Sequence, residues 1–477
     1  MENQNSKEYI YQRIAENIEH KIYNNVLKLG DKLPSIREIC RENGVSMSSA
    51  IKAYSVLEGK SLIASQPQSG YYVCYVNAQR LSAPETTKPQ LLYDCEDNQE
   101  VISRVYAKLD HESTVVFSLG VPEQSLLPVA KLNKALSTAI NGMAGSGTTY
   151  DLVQGNQKLR RQIARGSFTW NGKLEEEDIV TTSGCINAIS LCLMSLVKSG
   201  DVIAVESPVY FGILQLAQSL GLKVAELPTN PITGIEIDAL ENALKNQNVK
   251  VCLLISNFNN PLGSCMPIEN KKAVVSLIQK YNVPLIEDDL YADVYFGDHR
   301  PTSCKTYDES GLVLWCGSIS KTLAPGYRVG WVAPGMFKEK ILRTKMYHAL
   351  STPSITQQAV ANFLENGRYE SHLRKLRKTL SSNSQQYQRA IAEYFPHDTK
   401  MSRPQGGFIQ WVELNNQIDS LKLYELAIKK NISIAPGSMF SLQKQYNNCI
   451  RLSYGLEWNT KVDEALKTVG NLAKALL

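Results

Sequence analysis

LVLWCGSISKTLAPGYRVGWV, residues 312–332, is the stretch on which the fold turns. The apolar run from Leu312 to Cys316 reads as a buried strand. A small-residue turn follows with Ser318, Ser320 and Lys321, and Arg328 precedes a second apolar run. A lysine just past a buried strand is desolvated on one side, which lowers its pKa and makes it a nucleophile for carbonyls. Two hydroxyls and a planar guanidinium suit a phosphate. A phosphorylated aldehyde would use both halves of this turn. A lone SxSK is also an ordinary polar turn, so the surrounding chain decides.

Around that stretch, from residue 115 onward, apolar runs alternate with helical patterns. This predicts an α/β domain with a largely parallel sheet. Strands are expected at 179–182, 202–206, 223–227, 250–256, 283–287, 312–316 and 329–333, with helices at 186–198, 210–220, 236–246 and 268–281. Ligands gather at the C-terminal ends of such strands. Those ends carry Gly184-Cys185 opening a helix, Pro208-Val209-Tyr210, Asn260-Pro261, and Asp288-Asp289-Leu290-Tyr291. A helix start suits a phosphate, a tyrosine can stack on a flat ring, and an amide can donate to a phenolic oxygen. A buried acid requires a cationic partner, which a protonated pyridine nitrogen supplies. Together with Lys321 they would surround pyridoxal phosphate (PLP). Beyond residue 355, helices lead into a small α+β part with strands near 407–413 and 449–453 and a last helix at 459–476.

The 477 residues, 43% hydrophobic and 20% charged, lead to an expectation of two or three domains and argue against global disorder. A net charge of +5 permits nucleic-acid contact without requiring it. The ten cysteines form no CxxC or Cys/His cluster, so no metal site is expected and the thiols suit a reducing cytoplasm. The polar N-terminus is not a signal peptide, and no apolar run approaches a membrane span.

Residues 1–76 read as a separate head. Ile10, Ile14, Ile18 and Ile22 recur at spacing four on one helix. Ser35 and Glu38 form a capping box for a second helix, stopped by Gly44, and Ser46 caps a third. In the third, Met47, Ala50, Ile51, Tyr54 and Leu57 are expected to form one buried stripe, opposite Ser48, Ser49, Lys52 and Ser55. A hairpin turning at residues 67–70 completes a helix-turn-helix with a wing. Residues 77–114, with Ser82 to Gln90 reading SAPETTKPQ, are expected to be a tether with a short helix near 97–109.

The run KLPSIREICRENGVSMSSAIKAYSVLEGKSLIASQPQSGYYV, residues 32–73, resembles the winged helix-turn-helix of the GntR transcription factors. The resemblance implies that Arg37, Ser46, Ser48, Ser49 and Lys52 meet double-stranded operator DNA and that Gly70 sits at the wing tip. The residue after the first serine of the turn is often arginine in that family and is Met47 here. The strand-end motifs, and SISKTLAPGYRVGW above all, resemble the fold-type I PLP enzymes of the class I/II aminotransferases. That resemblance implies Lys321 as the lysine joined to the cofactor and Asp288, with Asp289 as second choice, on the pyridine nitrogen. It implies Asn260 and Tyr291 on the ring hydroxyl, and Tyr210 stacked on the ring. Gly184, Cys185, Ser318, Ser320 and Arg328 would hold the phosphate. Tyr150, in TYDLVQGNQKLRRQI, would reach a neighbouring subunit's phosphate, hence a homodimer. Arg451 in CIRLSYG and Gly120 in FSLGVPE would take a substrate carboxylate. Two departures from that pattern are Leu262-Gly263 after Asn260-Pro261 and the absence of a glutamine near Ile186-Asn187.

The whole layout resembles the MocR subgroup of bacterial regulators: head 1–76, linker 77–114, and an aminotransferase-like domain 115–477 whose small part spans about 367–477. It implies a cytoplasmic PLP-dependent regulator sensing an amino compound or PLP. A working aminotransferase is the alternative, and a PLP-independent dimerisation domain the third reading.

Overall fold

The computed structural model describes residues 10–24, 26–28, 30–59, 62–66, 69–73, 81–89, 99–107, 114–365, 367–443 and 445–477. In the head, α1 (Ile10–Tyr23), α2 (Ile36–Asn43) and α3 (Met47–Gly59) pack beside the antiparallel wing β1 (Ile63–Gln66) and β2 (Gly70–Val73). The expected capping box is present: Glu38 N donates to Ser35 Oγ at 3.3 Å, and Ser35 N to Glu38 Oε2 at 2.6 Å. Gly44 ends α2 in the left-handed region at φ 62°. Ile14, Ile18, Ile22, Ile39, Ala50, Tyr54 and Leu57 form the core, and the Tyr54 hydroxyl donates to Pro34 O at 2.7 Å.

The expected stripe on α3 needs correction. Ala50, Tyr54 and Leu57 are buried together with Ala53, but Met47 is 53% and Ile51 49% exposed. Each residue advances about 100° round a helix. The core line therefore runs through 50, 53, 54 and 57, and Ile51 falls one step outside it.

The linker is not a free tether throughout. Thr87 exchanges hydrogen bonds with Thr229: Thr87 N donates to Thr229 O at 3.4 Å and Thr229 N to Thr87 Oγ1 at 3.1 Å. Thr87 Oγ1 donates to Ser207 O at 2.7 Å. On the other side, Met401 N donates to Ser82 O at 3.0 Å, and Lys400 pairs with Glu85 at 3.0 Å. A segment whose composition resembles a spacer is fixed by backbone and side-chain contacts to distant parts of the chain, which composition does not register. The short helix is present as α4 (Gln99–Ala107).

The remaining chain enters through β3 (Val115–Val116) and builds an eight-stranded sheet. Its strands are β4 (Val180–Thr182), β5 (Val202–Ser207), β6 (Lys223–Asn230), β7 (Gly234–Ile235), β8 (Val249–Leu254), β9 (Leu285–Asp288), β10 (Val313–Ser318) and β11 (Gly330–Ala333), in the order β4-β11-β10-β9-β8-β5-β6-β7. The seven expected strands are all here, each starting within two residues of its expected position. β6-β5-β8-β9-β10 are mutually parallel, and β11 runs antiparallel to β10 and β4. Apolar clusters cover both faces of the parallel strands, which explains their unbroken apolar runs.

The small part carries β12 (Lys400–Met401), β13 (Ile409–Glu413), β14 (Ile432–Ser433), β15 (Ala435–Pro436) and β16 (Cys449–Ser453). They form a sheet β12-β13-β16-β15, while β14 pairs in parallel with β3. The long helix Arg368–Tyr394 packs on helix Ser354–Glu365 at one end and helix Thr460–Lys474 at the other. No described helix is long and apolar enough to cross a membrane, and no cluster of three or more His, Cys, Asp or Glu among the described residues could hold a metal.

Candidate functional site

The C-terminal ends of β4, β5, β8, β9 and β10 converge on a cavity of about 190 Å³. Lys321, Asp288, Asn260, Tyr291, Tyr210, Ser318, Ser320, Arg328 and Cys185 line it, with Ile186, Ile189, Ile255 and Leu290 as apolar walls. Positions scattered from residue 185 to 328 are thus brought together by strand order.

Lys321 donates its amine to Gly120 O. Burial, then the nearby Arg451, push that amine down to about 8, with Asp288 acting in the opposite direction. A lowered pKa leaves more free amine at neutral pH. Trapping of an aldehyde at Lys321 should therefore rise with pH up to about 8 and then level off. An exposed lysine keeps rising toward about 10.4. Borohydride trapping of pyridoxal across pH 6–10, with the adduct mapped by peptide mass, reads this directly. A yield at Lys321 still climbing steeply above pH 9.5 would contradict it.

Asp288 is 5% exposed, and burial pushes its carboxyl up to about 6 against hydrogen bonds from Cys185 Sγ at 3.3 Å and Leu290 N at 3.2 Å. Asp289 points elsewhere. It accepts from Arg300 at 2.7 Å, Trp315 Nε1 at 2.8 Å and Asn257 Nδ2 at 2.8 Å, so its oxygens are consumed. Of the acidic pair, Asp288 is therefore the one available to a ligand in this cavity. Asn260 Nδ2 donates to the Tyr291 hydroxyl at 3.3 Å. Arg451, 1% exposed, donates to Asn260 Oδ1 at 3.2 Å and to Ser118 O, with its guanidinium 5.1 Å over the Phe440 ring.

The phosphate end is equally specific. Ser318 and Ser320 hydroxyls are 2.8 Å apart. Arg328, held at φ 51°, donates to Ser183 O at 2.9 Å and approaches Ser320 Oγ at 3.5 Å. A Cβ at Gly184 would lie 2.3 Å from Arg328 Nη2, so only glycine admits the guanidinium there. The Cys185 side chain turns to Asp288 rather than to this end, leaving its backbone N–H at the helix start. Gly120 lies where an added Cβ would be 3.5 Å from the Tyr291 hydroxyl and 3.9 Å from Arg451 Nη1.

Charge decides what fits. Among the contacts given above, the acceptors facing Lys321, Arg328 and Arg451 are neutral oxygens, and Asp288 is the one carboxylate lining the cavity. Arg451 Nε is buried without a partner. Three cations against one acid leave room for anionic groups, and buried guanidinium groups are stable only when paired. A phosphate at Ser318, Ser320 and Arg328, a carboxylate at Arg451 and an aldehyde at Lys321 satisfy that set. The residues present fit pyridoxal phosphate.

Tyr150 is not in this cavity. It is 82% exposed and stands beside Leu152 at 65% on a segment joined to residues 345–358 through Lys345, Gln357 and Gln358. Tyr106 of α4 is a site neighbour that the sequence reading left in the linker: its ring stands edge-on to Phe211 at 5.7 Å, beside Tyr210. A tyrosine ending a nine-residue amphipathic helix carries no local signal of this, because the contact is made across about a hundred residues.

In the head, Arg37, Ser46, Ser48 and Lys52 are exposed and Ser49 is half-buried. Ser46 Oγ caps α3, accepting from Ser49 N at 3.2 Å. Lys52 Nζ lies 4.5 Å from the Tyr11 ring centroid, which aims its long side chain. Gly70 is exposed at φ 104° where β2 begins.

Residues 10–73 match the gntR family of bacterial regulatory proteins, and residues 114–469 match aminotransferase class I and II. Among curated proteins, the chain is 38% identical to the uncharacterized HTH-type transcriptional regulator YjiR of Escherichia coli, covering 96% of this chain and 98% of that one. It is 28% identical to the HTH-type transcriptional regulator NorG of Staphylococcus aureus, covering 93% and 99%. Among solved structures, kynurenine aminotransferase of Pyrococcus horikoshii superposes with TM-score 0.74 at 26% identity over 80% of this chain and 96% of that one. The multiple substrate aminotransferase of Thermococcus profundus shares the fold, with TM-score 0.73 at 24% identity over 80% and 96%. This chain belongs to the class I and II aminotransferase family and carries a GntR-family head.

Proposed function

We propose that this aminotransferase-family chain is a DNA-binding transcription regulator that senses an amino compound, or PLP itself, in the cavity around Lys321. The observation that carries the reading is the coexistence of a DNA-reading helix face with an aldehyde-ready cationic cavity on one chain. The regulator names of full-length relatives support it.

PLP, when bound, supplies an aldehyde that exchanges between amines and a ring that delocalises charge. The chain's own residues do the rest. Lys321 offers a free amine because its surroundings disfavour the ammonium form. Asp288 holds negative charge at the end of β9. Ser318, Ser320 and Arg328 take a phosphate, and Arg451 takes an effector carboxylate in a bidentate manner. Tyr210 lines the cavity, and Tyr106 stands behind it against Phe211. Tyr150 and Leu152 are exposed, as is Tyr347 on the helix whose Lys345 holds Val153 O, and a second copy covers them in a homodimer. On α3, exposed Met47 and Ile51 flank Ser48, so the groove face reads thymine methyl groups as well as polar edges.

Deleting residues 1–76 is expected to abolish sequence-specific, salt-dependent DNA binding while PLP absorbance is retained. Anisotropy with a DNA fragment selected from a random pool measures the first, and a spectrum the second. Undiminished DNA binding by the truncated chain would refute the reading.

The docked linker gives the signal a route. Residues 82–87 bind the large part through Thr229 and Ser207, three residues before Tyr210, and the small part through Lys400 and Met401. A shift between the two parts on ligand binding then pulls on the segment that carries the head. Thr87→Val removes a hydroxyl that joins Ser207 O to Thr229 N, a loss worth ~1–3 kcal/mol. It should reduce the PLP-dependent change in DNA affinity several-fold with cofactor content unchanged. An unaltered change in affinity would reduce the segment to packing.

A working aminotransferase is favoured by one observation, Lys321 and Asp288 in one cavity with Arg451 bonded to Asn260 in its lining. Full turnover with a panel of amino and keto acids would establish it, and it is compatible with a regulatory role.

A further inference from the structure

Thr322 follows Lys321 directly in the chain, and both of its oxygens are held by one distant element. The Thr322 hydroxyl lies 2.8 Å from the Tyr369 hydroxyl, and Thr322 O lies 2.6 Å from His372 Nε2. Both partners stand in the first turns of the long helix Arg368–Tyr394. Thr322 is 1% and His372 7% exposed, so water competes little for these bonds.

The direction of each bond follows from the partners. Asp293 is ion-paired with Arg300 at 2.6 Å and offers acceptors alone. Tyr369 therefore spends its proton on Asp293 Oδ2, at 3.1 Å, and the Thr322 hydroxyl must donate to Tyr369. A carbonyl also only accepts, so His372 carries a proton on Nε2. Burial pushes that imidazole down against its bond to Thr322 O, and Lys131 and Lys375 add to the push. His372 is thus a neutral donor with one fixed tautomer. A third bond, from Arg377 Nε to Asp293 O at 2.8 Å, ties the same stretch of helix to the segment after β9, with the guanidinium 4.0 Å over the Tyr295 ring.

We propose that Tyr369 and His372 are positioning residues for Lys321: acting through Thr322, they hold the lysine turn where the amine faces the cavity and Gly120 O rather than water. The proposal rests on the reading of Lys321 as the aldehyde-binding amine. Neither residue lines that cavity, so neither touches a ligand there. A turn released from this hold lets the ammonium form reach solvent, and the amine then titrates closer to an ordinary lysine at about 10.4. The groups whose charge acts on the amine are Arg451, Asp288, Arg328 and Cys185. Substitutions at 369 and 372 leave all four in place, so a shift reports position.

The test is borohydride trapping of pyridoxal at Lys321 on the full-length protein, followed by peptide mass across pH 6–10. The wild-type midpoint is expected at about 8. Tyr369→Phe and His372→Leu should each raise it by at least about 0.5 pH unit, a roughly threefold loss of free amine at pH 7. His372→Gln, whose amide nitrogen can take the place of Nε2, should restore the wild-type midpoint. Leu380→Ala, a core truncation on the same helix, should lower the unfolding temperature at least as far and leave the midpoint in place. An unchanged midpoint in both Tyr369→Phe and His372→Leu would overturn the proposal and leave Lys321 as the trapping amine. An equal shift in Leu380→Ala, or no recovery in His372→Gln, would also overturn it, since packing alone would then account for the effect. No trapping at Lys321 in the wild type would overturn it together with the reading on which it rests.

Discussion

Lys321→Ala is expected to abolish covalent retention of PLP. The wild-type protein should show a near-visible band that borohydride removes, with the cofactor fixed to Lys321. The variant should show none after gel filtration. The effect is all-or-none because, among the described residues, no second amine lines the cavity around Lys321. Lys345, the other lysine pushed down to about 8 by burial, is committed to Val153 O and Thr352 Oγ1 outside that cavity. Reduction that fixed PLP elsewhere in the variant at wild-type yield would contradict the assignment.

Arg451→Lys is expected to weaken the response to an α-amino carboxylate by about 100-fold, equivalent to ~2.7 kcal/mol. Lysine keeps the charge but not the planar pair of donors. It also leaves Asn260 Oδ1 and Ser118 O competing for one ammonium, where the guanidinium serves both. PLP binding itself should persist, since Ser318, Ser320, Arg328 and Lys321 are untouched. The measurement is a spectral titration of PLP-loaded protein with amino acids. A parallel series with amines lacking a carboxylate should be nearly indifferent to the substitution. Equal loss for both series would show that Arg451 supports the cavity rather than reading a carboxylate.

The cofactor cavity was more legible than its surroundings, for a physical reason. In a parallel sheet the active groups sit at strand ends, so buried apolar runs point directly at Gly184, Tyr210, Asn260, Asp288 and Lys321. The choice between Asp288 and Asp289 needed coordinates, because both follow the same strand and only their partners differ. Local rules served the head well where the interaction is local, as in the Ser35–Glu38 box. They failed for Met47 and Ile51, because the width of a buried helical stripe depends on what packs against it. The docking of Thr87 and the position of Tyr106 were illegible, since both depend on partners more than a hundred residues away.

The central claim is that chemistry at Lys321 sets DNA affinity. Its most direct test is the dissociation constant for a pool-selected DNA fragment, measured at fixed salt with and without PLP, for wild type and Lys321→Ala. Coupling of this kind is typically ~1–3 kcal/mol, or about 5- to 150-fold. The account predicts a PLP-dependent change of at least about 5-fold in wild type and none in the variant. An equal change in both proteins, or no change in wild type, would contradict it.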